Sequence, residues 1–211
     1  MKIHILGLTL ATLVASSAFA QDNNTTSQMK RPQDSSQKGI FVGAEYINIT
    51  DMNIEITAKS KNGFGSNSDK SSGGGHLGMA GVRLGYSQTP TVGAGFNAGL
   101  TVLTGINKSE YGDDNVTAYL PQGNFTFGFN KMLMAYIGPN IAILRSSSSF
   151  NDIYKPDIGG QIGLGLRLSK NLSLAAGSTL IRQKIEIDDS DVSATGELQL
   201  SGFTSNLTYT F

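Results

Sequence analysis

The sequence predicts an all-β fold: a transmembrane antiparallel up-and-down β-barrel of about eight strands. Three observations predict it. From Gly39 onward, apolar residues alternate with small or polar ones, the period of a strand with two unlike faces. Gly supplies 26 of the 211 residues and charged residues only 15%, where soluble domains carry roughly 7% and about 25%. No apolar run reaches the roughly 20 residues of a spanning helix, so lipid would have to be crossed by strands closed on themselves.

The N-terminus precedes that pattern. Lys2 and His4 open the chain, an apolar run follows from about Ile5 to Val14, and Ala18-Phe19-Ala20 stands before Gln21. A charged start, a short apolar stretch and an A-x-A site make a cleaved signal peptide over residues 1–20. A core helix there is the weaker reading. Residues 21–38 are polar and aperiodic with one Pro, a periplasmic tether. Residues 39–211 form the barrel.

Cleavage removes Lys2 from the 16 basic residues and leaves the 16 acidic ones, so net charge stays near zero. That argues against a nucleic-acid partner, which calls for a basic stripe. The chain has no Cys, so no disulfide framework or thiolate metal site is expected. Gln21 rather than Cys at the first mature position argues against a lipid anchor.

The strands are expected at about 39–50, 76–86, 92–103, 116–129, 132–144, 157–168, 172–187 and 192–211. The third is the clearest. Val92, Ala94, Phe96, Ala98, Leu100 and Val102 share one face; Gly93, Gly95, Asn97, Gly99 and Thr101 share the other. Ile158 to Leu168 repeats the arrangement, with Gly159, Gln161, Gly163, Gly165 and Arg167 on the second face. Phe125, Phe127 and Phe129 alternate with Asn124, Thr126 and Gly128, and Leu133, Ala135 and Ile137 with Met134, Tyr136 and Gly138. A soluble barrel would turn the apolar face inward, and so many Gly on its solvent face would weaken the strands. In a membrane barrel the apolar face meets lipid and the Gly-rich face lines a narrow lumen, where Gly leaves room for a few long side chains.

Strand one keeps two parities open: Ile40, Val42, Ala44 and Tyr46 compete with Phe41, Ile47 and Ile49 for the lipid side. Connections alternate in length. Gaps at about 50–76, 104–115 and 145–156, and the tip at 188–191, are the outer loops. Ser87–Thr91, Asn130-Lys131 and Ser169–Asn171 are the short turns. The first gap, about 25 polar and Gly-rich residues long, is expected as a loop suited to display. An even strand count with this alternation puts both termini in the periplasm.

The last residues alternate Phe203, Leu207, Tyr209 and Phe211 with Thr204, Asn206, Thr208 and Thr210. This resembles the C-terminal assembly signal of outer-membrane barrels. The resemblance implies reading by the barrel-assembly machinery through strand addition. Residues 39–211 as a whole resemble the small eight-stranded bacterial outer-membrane proteins, the OmpA-like transmembrane-domain group. That implies a bacterial outer-membrane location, a monomer, and outer-membrane lipid and lipopolysaccharide as surroundings. The chain stops at the barrel, so a peptidoglycan-binding domain is not expected.

Candidate chemistry is sparse. His76, after Gly73-Gly74-Gly75, has no nucleophilic Ser partner of the expected kind, although Ser71 and Ser72 precede it; no enzyme activity and no cofactor are expected. Asp188, Asp189 and Asp191 could take a cation, but a solvated turn is the stronger reading, so no metal site is assigned. The lumen polar network is expected from Glu45, Arg83, Tyr136, Gln161 and Arg167. Neither Arg strand offers an inward carboxylate of its own, so partners are sought at Glu45 and Glu197, with Glu45–Arg83 the favoured pair. A structural or surface-display barrel with a lumen largely filled by polar side chains is the leading expectation. A narrow pore for small solutes or ions is the alternative.

Overall fold

The fold is seen in a computed structural model that describes residues 37–60, 66–105, 116–145, 154–188 and 192–211. The expected signal peptide, residues 21–36 of the tether, and Asp189 and Asp191 lie outside the described residues. Among those described there are nine strands and no helix. They are β1 (Gln37–Ser60), β2 (Ser66–Thr89), β3 (Gly93–Gly105), β4 (Thr117–Gly128), β5 (Leu133–Ile141), β6 (Ile143–Arg145), β7 (Tyr154–Arg167), β8 (Leu172–Asp188) and β9 (Val192–Thr210).

Each wall pairs antiparallel with its sequence neighbour, and β1 pairs β9 to close the ring. β5 and β6 are one wall. Gln122↔Asn140 and Tyr119↔Ile143 keep a single register across Ala142. The interruption at Ala142 falls opposite Leu120, next to Pro121, which has no N–H to give to a ladder. The barrel therefore has eight walls and, unlike an open sheet, no edge strand.

The short connections are built by their own side chains. Asn130 Oδ1 accepts from the Met132 and Leu133 N–H groups, both at 2.8 Å. Ser169 Oγ does the same for Asn171 and Leu172. Gly93, after Pro90, takes φ +97°, a conformation that only Gly adopts at no cost. Phe211 N donates to Ile40 O at 2.9 Å, so the last residue is tied to the first strand at the same end as these turns.

The first hairpin departs from expectation. Residues 51–60 and 66–76, expected as loop, continue β1 and β2. The reason is a bulge between Ile49 and Asp51. Inward positions on β1 are odd up to Ile49 and even from Met52, so Met52, Ile54 and Ile56 stay inside while Asn53 and Glu55 face out. One extra residue flips every face beyond it, which hides the period from a uniform count. Gln37 and Lys38, expected in the tether, already pair with Thr89 and Gln88.

Outside, the barrel is apolar. Ile40 (60% exposed), Phe125 (73%), Val82, Leu84, Ile137, Ile158, Ile162, Leu164 and Phe203 form a continuous belt. Aromatic pairs Tyr86–Phe96, Phe127–Phe129 and Tyr209–Phe211 gather towards the turn end. Each aliphatic or aromatic side chain left in water forgoes roughly 1.5–3 kcal/mol, and soluble monomers rarely bear large contiguous apolar patches. This is the inverted surface of a transmembrane barrel.

Candidate functional site: the lumen

Both faces of the barrel follow from strand parity, and the lumen has two unlike halves. Towards the turn end it is polar. On β1, Glu45 points inward beside the buried Phe41 and Ile47, which fixes the parity left open above. Its carboxylate accepts from Thr101 Oγ1 at 2.7 Å, Gln122 Nε2 at 3.2 Å and Thr204 Oγ1 at 3.1 Å. Arg83 Nε lies 3.9 Å from Glu45 Oε2, so the two are charge neighbours without a hydrogen bond at that nitrogen. The guanidinium instead sits over the Phe41 ring, 5.1 Å from its centroid.

An amide chain continues across the lumen. Gln122 Nε2 also donates to Thr101 Oγ1, and Gln161 Nε2 donates to Gln122 Oε1 and Asn124 Oδ1. Asn124 Nδ2 donates to Asn97 Oδ1 at 2.9 Å. The bonds join β1, β3, β4, β7 and β9 through the interior. Tyr136 is buried, its hydroxyl beside Gly163 and Gly177, where a Cβ would stand 2.5 and 2.7 Å from that oxygen. Gly85 and Gly99 likewise leave the space that the Phe41 ring fills. These four inner glycines thus accommodate aromatic rings, while Gly138 and Gly159 make room for the amides of Asn124 and Asn140.

Two sequence expectations about charge partners are corrected. Glu197 faces out, not in: it lies on the odd parity of β9, between the inward Leu198 and Gly196, and pairs with Arg182 at 2.5 Å on the outer surface. Among the described residues Arg167 has no carboxylate partner. It donates to Thr91 O at 3.2 Å, Asn130 O at 2.9 Å and Pro90 O, clamping two turns together. Backbone carbonyls at chain reversals have no ladder partner, so a guanidinium is a natural donor for them.

Towards the loop end the lumen is mainly apolar, with Gln183 inward between Ile181 and Ile185 and its Nε2 donating to Ala142 O. Leu103 is 0% exposed, Ile47 and Ile181 1%, and Met79 and Leu120 2%, and they pack with Ile49, Ala118, Ala142, Ile185, Leu198 and Leu200. Met52, Ile54, Ile56 and Leu77 pack on this cluster. The sequence signal was present: Leu103 shares the parity of Thr101, and Leu198 and Leu200 that of Thr204. The neutral partners Thr101, Gln122 and Thr204 were legible in the same way.

The remaining candidates are unremarkable in place. His76 is exposed on β2. Phe203, Leu207, Tyr209 and Phe211 all face outward on the last strand and its end.

No protein-family model and no curated protein matches the chain. Solved structures do. The Neisserial surface protein A is 16% identical, covering 82% of this chain and 97% of its own, with a TM-score of 0.41. Ail, the attachment invasion locus protein of Yersinia pestis, in complex with the heparin analogue sucrose octasulfate, is 15% identical over 79% and 99%, TM-score 0.37. The outer membrane protein OprG from Pseudomonas aeruginosa is 13% identical over 81% and 96%, TM-score 0.41. These likenesses are low, and the fold stands on the strand pairing itself.

Proposed function

We propose that the chain is a bacterial outer-membrane barrel with a structural or surface-display role and a closed lumen. On this reading both termini are periplasmic. The protein is a monomer in outer-membrane lipid and lipopolysaccharide, placed there by the barrel-assembly machinery. The observation that carries the closed lumen is the layer of Ile47, Met79, Leu103, Leu120 and Ile181, each 2% exposed or less, which fills the loop-end lumen around the Gln183 amide. Display is supported by β1, β2, β8 and β9, whose outward positions turn polar past the belt, at Asn53, Glu55, Arg182 and Glu197.

The test is conductance of the refolded protein in planar bilayers. A closed barrel gives no steady channels. The second reading, a narrow pore, is favoured by the polar turn-end half; steady, reproducible channel steps would establish it and overturn the closed lumen.

A further inference from the structure

Among the described residues, one joint of the barrel loses its ladder while both walls run on. β5 pairs β7 from Leu133↔Leu166 up to Ile141↔Ile158. Past that pair, β6 is laddered only to β4, and the Tyr154–Asp157 stretch of β7 only to β8. The cause is a conflict of phase. β7 slips register against β8 between Asp157 and Gly160, where Ile158 and Gly159 stand against Ile181 alone. Such a slip reverses the faces of the strand beyond it. Pro156 then shares the inward phase of its partner Gln183. Extending the β5–β7 ladder would set Pro156 against Ile143, which faces outward with its partner Tyr119. Directly opposed residues of an antiparallel pair share a face, and Pro156 has no N–H to give, so the ladder stops.

A side chain closes the gap instead. Gln183 projects inward from β8, and its Nε2 reaches behind β7 to donate to the Ala142 carbonyl, between β5 and β6. The closure is only half made. Gln183 Oε1 has no partner, and neither has Asn140 Oδ1, one pair below the end of the β5–β7 ladder. Both residues are 1% exposed, and a buried carbonyl without a donor is costly. Parting this joint breaks no ladder bond and lets water reach both oxygens.

We propose that the β6–β7 joint is a gate in the barrel wall and that Gln183 is its latch. When the latch releases, the wall opens sideways at Ala142. The opening lies at the border where the apolar belt of Ile158 gives way to Asp157 and Arg182. The laddered walls around Leu103 and Ala118 stay closed. The device is independent of whether the barrel displays loops or conducts.

The test places single cysteines, which the natural chain lacks, at Ala142 and Ala118. Both alanines are 0% exposed and belong to the loop-end cluster. Ala118 pairs with Leu103 on one side and Leu144 on the other, so both its joints are laddered. It also stands nearer the loop end than Ala142, so a reagent entering by the mouth meets it first. In barrels refolded in detergent, a small water-soluble methanethiosulfonate should label Ala142→Cys several-fold faster than Ala118→Cys. Gln183→Ala should raise the Ala142→Cys rate several-fold further and leave the Ala118→Cys rate unchanged. Gln183→Leu, which restores bulk without the donor, should do the same. Should no Gln183 variant fold, the two rates with Gln183 intact decide the matter. Equal rates there, faster labelling of Ala118→Cys, or an equal rise of both thiols on losing Gln183 overturns the gate. No rise with Gln183→Ala, or a return to the intact rate with Gln183→Leu, overturns the latch.

Discussion

Arg83 and Glu45 sit on paired strands, diagonal to each other across Gly43 and Gly81, with Nε 3.9 Å from Oε2. Proximity here is not a hydrogen bond: the carboxylate is satisfied by three neutral side chains from β3, β4 and β9. Its role is to hold four walls at one point while lowering the cost of the buried guanidinium. Both functions fail together when it is removed.

Glu45→Ala should therefore destabilise the barrel by on the order of 3–5 kcal/mol, the cost of an unpaired buried charge. Glu45→Gln, which keeps a hydrogen-bonding head, should cost less. Adding Arg83→Met to Glu45→Ala should recover a large part of the loss, because no lone charge then remains. Urea unfolding in detergent measures all three. Strictly additive losses would show that the two residues are uncoupled. No conductance should appear in Glu45→Ala, since the apolar layer lies beyond it.

That layer makes its own prediction. Leu103 and Ile181 are both fully enclosed. Replacing both with Ser removes the apolar seal and supplies hydroxyls that water can follow. Planar-bilayer recordings should change from silent to conducting, at a cost to stability of several kcal/mol for two large-to-small core changes. A double variant that folds and stays silent would place the seal elsewhere in the lumen.

The inner glycines separate by what a methyl group would meet. At Gly165 the nearest atoms belong to the flexible Met134 side chain. At Gly163 they are a cross-strand carbonyl of Ala176 and the Tyr136 ring, neither free to move. Gly163→Ala is expected to cost about 1–3 kcal/mol as overpacking, and Gly165→Ala markedly less. Equal midpoints in urea for the two variants would refute the packing argument.

The eight walls and the outer face were legible because alternation is a local property: Val92 to Val102 declares its faces without help from other strands. The bulge after Ile49 was not, because it appears only as a change of phase, and the apolar Met52, Ile54 and Ile56 then look out of register. The misplacement of Glu197 had another cause. Parity had to be counted on β9 from Thr204 and Thr208, and a carboxylate was sought for Arg83 and Arg167 when neutral donors and carbonyls were already opposite. Which half of the lumen is apolar depends on stagger between walls, which no single strand contains. The phase change is testable: cysteine at Asn53 should react with a water-soluble maleimide several-fold faster than cysteine at Ile54. The reverse order would remove the bulge.

Phe211 is 70% exposed, stacks edge-on against Tyr209 with centroids 5.1 Å apart, and ties to the first strand through one backbone bond to Ile40. Its deletion forfeits that bond and one aromatic contact at the end of a closed ring. The ring itself survives, because Thr210 still pairs with Phe41 and its N–H still reaches Asn171 O. The expected loss in vitro is only about 1–2 kcal/mol, from one hydrogen bond and one aromatic pair. An assembly machinery that adds the last strand at a sheet edge would meet the terminal aromatic directly. Deleting Phe211 should therefore lower the amount of folded barrel in cells far more than it lowers the refolded yield in detergent, both read as the heat-modifiable band in gels. If both yields fall in the same proportion, Phe211 acts through stability alone and no recognition need be invoked.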